Sequence, residues 1–133
     1  MTQALPPLDP ADAARPLLDV SRLQQAVADF ARERDWEPFH SPKNLAMALT
    51  GEVGELVELF QWLSEEASRR VARDPATARR VRDEVADVLL YLVRLAAVLE
   101  IDLDEAVRSK LATNARKYPV EAARGNATKY SAR

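Results

Sequence analysis

Apolar residues recur at helical spacing through most of the chain, and two long stretches show this pattern most clearly. In residues 45–63 the apolar positions are Leu45, Leu49, Val53, Leu56, Leu59, Phe60 and Leu63. In residues 81–99 they are Val81, Val85, Val88, Leu92, Leu95 and Leu99. Spacings of three and four place such residues on one side of a helix. No segment alternates with period two, so the pattern predicts no sheet.

Acidic residues interrupt or border both apolar stripes, in pairs three positions apart. Glu52 projects into the first stripe and Glu55 lies at its edge, whereas Glu84 and Asp87 border the second. Residues three apart share a helix face, with Cβ atoms roughly 5–6 Å apart. A carboxylate that faces a core is costly unless it is paired, hydrogen-bonded or bound to a cation. Helix formation alone therefore does not explain the two pairs.

Capping signals divide the chain into four predicted helices. The start signals are Ser21 with Gln24, Ser41 with Pro42, Asp74 with Pro75, and Asp102 with Glu105. In each, a side chain can accept from the first turn, and a proline or a polar residue follows just inside the helix. The helices are expected to end near Arg34, Leu63, Glu100 and Lys117, the last because Pro119 follows. Residues 64–74 indicate a short helical linker.

The predicted fold class is all-α, a four-helix bundle that assembles into a larger helical homo-oligomer. Residues 1–18 are expected to form a flexible lead-in, 19–118 a single helical domain that carries the site, and 119–133 a C-terminal tail. Apolar faces on short helices in a chain of this size favour an oligomer. Gly51 and Gly54 flank the first acid pair, where glycine costs about 1 kcal/mol against alanine, so we expect another group to approach closely there.

Composition and charge narrow the class of protein. The 133 residues are 47% hydrophobic and 30% charged, which is typical of one globular domain. A net charge of −2 provides no basic field for nucleic acid. No apolar run approaches the roughly 18 residues of a membrane span, and the absence of cysteine excludes thiolate sites and disulfides. We expect a cytoplasmic protein with neither a nucleic-acid nor a membrane partner.

Two acid pairs on facing helices would bring four carboxylates into one pocket. Anionic oxygen ligands suit hard cations, Mg²⁺ with Mn²⁺ as a substitute, rather than zinc or copper. Because Mg²⁺ commonly shares its coordination shell with phosphates, the set indicates one or two ions presented to a polyphosphate substrate. Such ions activate water, and a carboxylate not fully used as a ligand, Glu55, would accept the proton.

Two other interpretations compete with this metal site. Arginines of the third helix could neutralise the acids in a structural network: Arg79, Arg80, Arg82 and Arg94. The protein would then be a non-catalytic helical oligomerisation module. A di-iron centre is disfavoured, because it requires Glu-x-x-His on two helices and the chain has a single histidine.

Aromatic and basic side chains provide candidates for the rest of a ligand site. The aromatic candidates are Trp36, Phe39, His40, Trp62 and Tyr91. Such residues stack flat ligands, but they also serve as packing residues at helix ends. Lys110, Asn114 and Lys117 follow one another at spacings of four and three, so they share a helix face that suits either solvent or phosphate.

Three segments, taken in order, resemble a known family. They are GEVGEL at 51–56, DEVADV at 83–88 and the pattern KxxxNxxKY at 110–118. Together they are similar to the all-α nucleoside triphosphate pyrophosphohydrolases of the MazG type, closest to the dCTP pyrophosphatase branch, over roughly Leu23 to Tyr130. The resemblance implies a homotetramer with active sites between subunits. It also implies hydrolysis of dCTP and its 5-modified forms to dCMP and pyrophosphate, which sanitises the nucleotide pool.

The resemblance also implies residue roles. The Mg²⁺ ligands fall on Glu52, Glu55, Glu84 and Asp87, with Glu55 and Glu52 catalytic. The base pocket falls on Trp36, His40, Trp62 and Tyr91, and the phosphate and sugar contacts on Lys110, Asn114, Lys117 and Tyr118. A broad-specificity housecleaning enzyme of the same type, acting on damaged or non-cytosine triphosphates, is the alternative, since aromatic stacking accepts every base.

Overall fold

The protein is represented by a computed structural model that describes residues 18–132. Its helices are α1 (Val20–Glu33), α2 (Pro42–Glu58), α3 (Glu65–Arg70), α4 (Ala78–Val98), α5 (Leu103–Lys117) and α6 (Val120–Ala123), with 3₁₀ turns at Glu37–Phe39 and Tyr130–Ala132. No strand occurs in these residues, so the prediction of an all-α fold is confirmed for them. None of their helices is both long and apolar enough to cross a membrane. The predicted lead-in falls almost wholly outside the described range.

The chain forms two compact units, the first ending at Leu99 and the second beginning at Glu100. In the first unit α4 packs chiefly against α2 and also against α1. The buried apolar side chains of this unit are Ala31, Leu45, Val71, Val81, Val93 and Ala96. The second unit contains α5 and α6, and none of its described side chains is fully buried. The predicted domain limits remain predictions.

Side-chain caps begin α2, α3 and α5. Ser41 Oγ accepts from the Asn44 N–H at 3.1 Å, Ser64 Oγ accepts from Ala67 at 3.1 Å, and Asp102 Oδ1 accepts from Glu105 at 3.0 Å. Each cap satisfies one of the amide groups that a helix start leaves without an internal partner. The predicted starts of α2 and α5, the linker helix and the end of α5 at residue 117 are thus confirmed.

The predicted capping box at Ser21 is wrong. Asp19 caps α1 instead, because its Oδ1 accepts from the Ser21 N–H at 3.1 Å and from the Arg22 N–H at 3.4 Å. Ser21 therefore lies inside the first turn. Aspartate caps as well as serine does, and its charge also interacts favourably with the positive end of the helix dipole.

The middle of the first unit departs from the predicted bounds at two places. α2 ends at Glu58 rather than near Leu63, because hydrogen bonds of the i→i−3 type enter the pattern over residues 59–63. Asp74 does not cap the third long helix. Its Oδ1 accepts from the Ala76 N–H in a preceding turn, and α4 begins only at Ala78.

The buried side of α4 only partly follows the predicted apolar stripe. Val81 is buried, but Val85 and Leu92 are 52% and 44% exposed. Because α4 contacts two helices, its buried set also includes Val93 and Ala96, which the stripe omits. Apolar side chains of the stripe therefore remain on the surface of the first unit.

The expected close approach at the glycines of α2 does not occur within the described residues. Gly51 and Gly54 are exposed, and a Cβ added at either would meet no atom within 4 Å. No packing contact in this part of the chain therefore offsets the cost of two glycines in a helix.

Candidate active site

The two acid pairs meet where α2 packs on α4. One carboxylate oxygen each from Glu52, Glu55 and Glu84 lies within 4.8 Å of the other two. Glu52 and Glu84 are half-buried and Glu55 is exposed. Asp87, half-buried, follows Glu84 by three positions on α4 and so shares its side of the helix. Helix spacing thus places the acids on facing sides, and the contact between α2 and α4 brings three of them together.

Two carboxylate oxygens of this cluster are buried without a hydrogen-bond donor. The Oε2 atoms of Glu52 and Glu84 are shielded from solvent and have no partner among the described residues. The ion pairs found in that part of the chain join Arg32 to Asp29, Arg34 to Glu33, Arg69 and Arg70 to Glu66, and Arg108 to Asp104. None involves the acid cluster. The structural arginine network considered from the sequence is therefore not found there.

Burial and mutual repulsion raise the pKa values of three of the acids. Burial, followed by the charges of Asp87 and Glu55 and the contact with Glu84, raises the pKa of Glu52 to about 7. Burial and then the Glu55 charge raise the pKa of Glu84. Burial, then the charges of Asp83 and Glu55, raise the pKa of Asp87. Without a cation, these groups resist being ionised together.

The cluster can hold a metal ion. Its possible metal ligands are all carboxylate oxygens, which hard divalent cations prefer. A cation would give the buried Oε2 atoms of Glu52 and Glu84 a partner, and it would relieve the repulsion that, after burial, raises the pKa values. The orphaned oxygens and the ligand chemistry thus both fit a bound cation.

A helix-ending motif positions Trp36 at the end of α1. The Trp36 N–H donates to Ala31 O at 2.9 Å and the Asp35 N–H to Arg32 O at 3.1 Å, while Asp35 has a left-handed φ of 54°. These two bonds define a Schellman motif, which is commonly accompanied by an apolar contact across the helix end. Here that contact is the Trp36 ring against Phe30, with centroids 5.7 Å apart.

The next residues continue the aromatic group to His40. After the 3₁₀ turn, the His40 N–H donates to Glu37 O at 3.1 Å, and the imidazole lies edge-on to Trp36 with centroids 6.2 Å apart. The His40 Nδ1 accepts a hydrogen bond from Arg94 Nε on α4 at 3.1 Å. This bond ties the aromatic segment to the helix that carries Glu84 and Asp87.

The other two predicted base-pocket residues occupy different settings. Tyr91 is half-buried on α4, four positions beyond Asp87 and three before Arg94, so these three residues lie along one side of the helix. Trp62 follows α2 and is 88% exposed. The ring contacts found among residues 18–132 do not include Trp62, whereas they join Trp36 to His40.

The predicted phosphate and sugar contacts lie in the second unit. Lys110, Asn114 and Lys117 belong to α5, and the Tyr118 N–H donates to Asn114 O at 2.8 Å where the helix ends. The Lys117 ammonium lies 4.8 Å from the ring centroid of Tyr130, and the rings of Tyr118 and Tyr130 are 5.9 Å apart. A basic and aromatic group thus forms at the C-terminal end of α5.

A known protein family matches the part of the chain that contains the acid cluster and α5. A family model described as the MazG-like family matches residues 48–132, which include the acid pairs and α5. The chain belongs to the MazG-like family. The matched segment contains every acid of the cluster and begins after Trp36 and His40.

Curated relatives extend the match toward the N-terminus. Over 115 residues the chain is 50% identical to dCTP pyrophosphatase 1 of Bos taurus and 48% identical to that of Homo sapiens. These alignments cover 86% of this chain and 66% of the relatives, so the chain spans just under two thirds of their length. Over 95 residues it is 36% identical to a dATP/dGTP diphosphohydrolase of Cyanophage S-2L, covering 71% of this chain and 72% of the relative.

A solved structure shares the fold. The crystal structure of a pyrophosphatase from Archaeoglobus fulgidus DSM 4304 superimposes with a TM-score of 0.69 at 41% identity. The match covers 74% of this chain and 91% of that one. The fold of that structure therefore accounts for most of this chain.

Sequence reasoning missed two members of the site region, Phe30 and Arg94. Phe30 was not predicted as a site residue, although a tryptophan six positions later at a helix end indicates the Schellman contact. Arg94 was considered as a partner for the acids. Its bond to His40, 54 positions away, leaves no local pattern in the sequence.

Proposed function

We propose that the chain is a Mg²⁺-dependent nucleoside triphosphate pyrophosphohydrolase that converts dCTP and 5-modified dCTP to dCMP and pyrophosphate in the cytoplasm. Water adds to the phosphate chain, and the bond between the α- and β-phosphates is cleaved. The observation that carries the proposal is the cluster of Glu52, Glu55 and Glu84, in which two buried oxygens lack a donor. The proposed substrate, dCTP, is taken from the names of the relatives that are about 50% identical to this chain.

We assign the acids different roles according to their burial. Glu52 and Glu84 would hold the ion, since each has a buried oxygen that needs a positive partner, and Asp87 would complete the set from the next turn of α4. When bound, Mg²⁺ supplies charge neutralisation and lowers the pKa of a coordinated water, and Mn²⁺ has the same ligand preference. Glu55, the exposed acid, would accept the proton of the attacking water on its carboxylate.

The aromatic segment and α5 would bind the remainder of the nucleotide. Trp36, His40 and Tyr91 are assigned to the base, which is supported by the contact of Trp36 with His40 and by the bond of His40 to α4. Lys110, Asn114, Lys117 and Tyr118 are assigned to the phosphates and sugar, which is supported by their shared helix face and its C-terminal end.

We also propose a homotetramer with sites between subunits. Support comes from the apolar side chains that the first unit leaves exposed, including Val85 and Leu92 on α4. Trp62, 88% exposed and assigned to the base pocket, fits a residue that acts in the site of a neighbouring copy. Light scattering coupled to size-exclusion chromatography tests the assembly, and a monomer at micromolar concentration would contradict it.

A second candidate is an enzyme of the same chemistry with a different base preference. The match to the cyanophage dATP/dGTP diphosphohydrolase favours it, because that relative acts on purine nucleotides within a similar chain. Stacking on Trp36 provides no selection between pyrimidine and purine, since every base has an aromatic face.

The test is product analysis with Mg²⁺ and each common deoxynucleoside triphosphate, including 5-methyl-dCTP. Release of dCMP and pyrophosphate from dCTP, with the other nucleoside triphosphates hydrolysed much more slowly, supports the first candidate. Equal hydrolysis of triphosphates that carry different bases supports the second. Absence of pyrophosphate from all of them would contradict both.

Glu52→Gln with Glu58→Gln as a matched control tests the role of the cluster. Both residues lie on α2, but Glu58 is exposed and outside the acid cluster. The first variant is expected to lose nearly all turnover while folding normally, because it removes one ligand charge with little change in volume. The second should retain wild-type activity.

A further inference from the structure

Arg94 and His40 form a side-chain hydrogen bond between distant parts of the first unit. Arg94 Nε on α4 donates to His40 Nδ1 at 3.1 Å, and both residues are half-buried. The Arg94 guanidinium takes part in no ion pair among the described residues. The arginine therefore uses a directed N–H group on an uncharged acceptor, rather than neutralising an acid.

The direction of this bond determines the protonation of the imidazole. An arginine side chain has donors only, so the nitrogen that it contacts must carry a lone pair. In neutral histidine one ring nitrogen accepts and the other bears the proton, and the bond made by one nitrogen fixes the state of the other. With Nδ1 accepting, the proton of His40 is on Nε2. Burial and then the Arg94 charge lower the pKa of His40, which favours the same neutral state.

The remaining contacts hold the ring and leave Nε2 available. The imidazole lies edge-on to Trp36, with planes 61° apart, and the His40 N–H is fixed to Glu37 O by the 3₁₀ turn. No hydrogen-bond partner of Nε2 occurs among residues 18–132. Trp36 is 43% exposed, so a flat ligand can reach this aromatic group. An Nε2–H donor without an internal partner thus stands beside a stacking surface.

We propose that Arg94 is a positioning residue that holds His40 as the Nε2–H tautomer, so that the site presents a neutral hydrogen-bond donor to an acceptor on the edge of a heterocyclic base. The acceptors that fit are a ring carbonyl oxygen or an unprotonated ring nitrogen, and a cytosine ring has both. The ligand part of this inference rests on the proposed function, whereas the tautomer part concerns the free protein.

The tautomer is measured directly, because His40 is the single histidine of the chain. Long-range ¹H–¹⁵N correlation spectra of the full ¹⁵N-labelled protein at neutral pH report which ring nitrogen bears the proton. The wild type should show a pyridine-type Nδ1 and a pyrrole-type Nε2. Arg94→Met should shift both signals toward an average of the two tautomers. Arg82→Met, an exposed arginine on the same helix, should leave the wild-type spectrum unchanged.

Two spectral results would overturn the proposal: a protonated Nδ1 in the wild type, or an Arg94→Met spectrum identical to that of the wild type. Circular dichroism checks that Arg94→Met folds. If it does not, Arg94→Lys serves in its place. It keeps the charge but moves the donor, so it should weaken the preference for the Nε2–H tautomer. An unchanged preference in that variant would likewise overturn the proposal.

A double-mutant cycle tests whether Arg94 acts on the substrate through His40. Arg94→Met should raise KM for dCTP by roughly two- to tenfold, the range of one neutral hydrogen bond, with a smaller change in kcat. In a His40→Ala background it should raise KM no further. An equal effect in both backgrounds would contradict a role through the histidine. If the wild type cleaves no nucleotide, the proposed function fails, while the spectra still decide the tautomer.

Discussion

Burial and charge repulsion in the acid cluster together predict that the stability of the metal-free protein falls as pH rises. The pKa of Glu52 is raised from its ordinary value of 4.5 to about 7 in the folded chain. Between those values the folded state binds more protons than the unfolded state, so the free energy of unfolding falls as pH rises. The stabilising contribution is fully present below pH 4.5 and is lost through pH 7. Glu84 and Asp87, whose pKa values are also raised, act in the same direction.

The magnitude follows from the size of the pKa change. Each pKa unit corresponds to about 1.36 kcal/mol, which sets a ceiling of roughly 3 kcal/mol for Glu52. Glu52 is half-buried and solvent screens its charge, so we expect about 1 kcal/mol between pH 5 and pH 8. Urea unfolding in EDTA at the two pH values, at one fixed protein concentration, measures the difference.

Glu52→Gln should flatten this dependence, because the amide keeps the shape but does not titrate. Glu58→Gln, on the exposed side of the same helix, should not. A Glu52→Gln variant that loses as much stability between pH 5 and pH 8 as the wild type would refute the reasoning. So would a wild type that becomes more stable over that interval in EDTA.

Mg²⁺ should reverse the trend, since a metal binds the deprotonated carboxylates. At about 100 times its dissociation constant, the ion should stabilise the protein by about 2.7 kcal/mol at pH 8 and by less at pH 5. Equal stabilisation of the wild type and Glu52→Gln at pH 8 would place the ion elsewhere.

Four further variants test other parts of the structure. Glu55→Gln should lower kcat by roughly 10² to 10⁴ with little change in the unfolding free energy, and a near-normal kcat would exclude it as the proton acceptor. Asp102→Ala should destabilise the protein by about 1 kcal/mol through loss of the α5 cap, whereas Ser21→Ala should change stability by less than about 0.5 kcal/mol, as judged by urea unfolding. Asp35→Gly should raise the melting temperature, because glycine adopts the left-handed φ of 54° without strain, and a lower value would contradict the assigned helix end.

Local chemistry allowed much of the helical framework to be predicted. Ser41 with Pro42 and Asp102 with Glu105 mark helix starts because the groups that form each cap lie within four residues of one another. Where two candidate caps lie close together, the local pattern was insufficient, and Asp19 rather than Ser21 begins α1. The end of α2 at Glu58 was also missed, because the apolar spacing continues through a segment that turns.

The acid cluster shows the division between sequence and tertiary structure. The spacing of Glu52, Glu55 and Glu84 placed carboxylates on core-facing helix sides, since side-chain direction in a helix follows from position alone. Only the packing of α2 on α4 determined that three of them come within 4.8 Å and that two oxygens lose both water and a donor. Burial and repulsion depend on the distance between helices, so the raised pKa of Glu52 could not be inferred from spacing.

The sequence by itself determined which residue types were available: acidic pairs on helices, an aromatic segment and a basic helix end. The tertiary structure decided their partners. In it Arg94 donates a hydrogen bond to His40 rather than pairing with the acids. Val85 and Leu92 remain exposed, although their periodicity suggested that they belong to a core. The physical reason is that periodicity specifies the side of a helix, whereas the neighbour on that side depends on how several helices pack together.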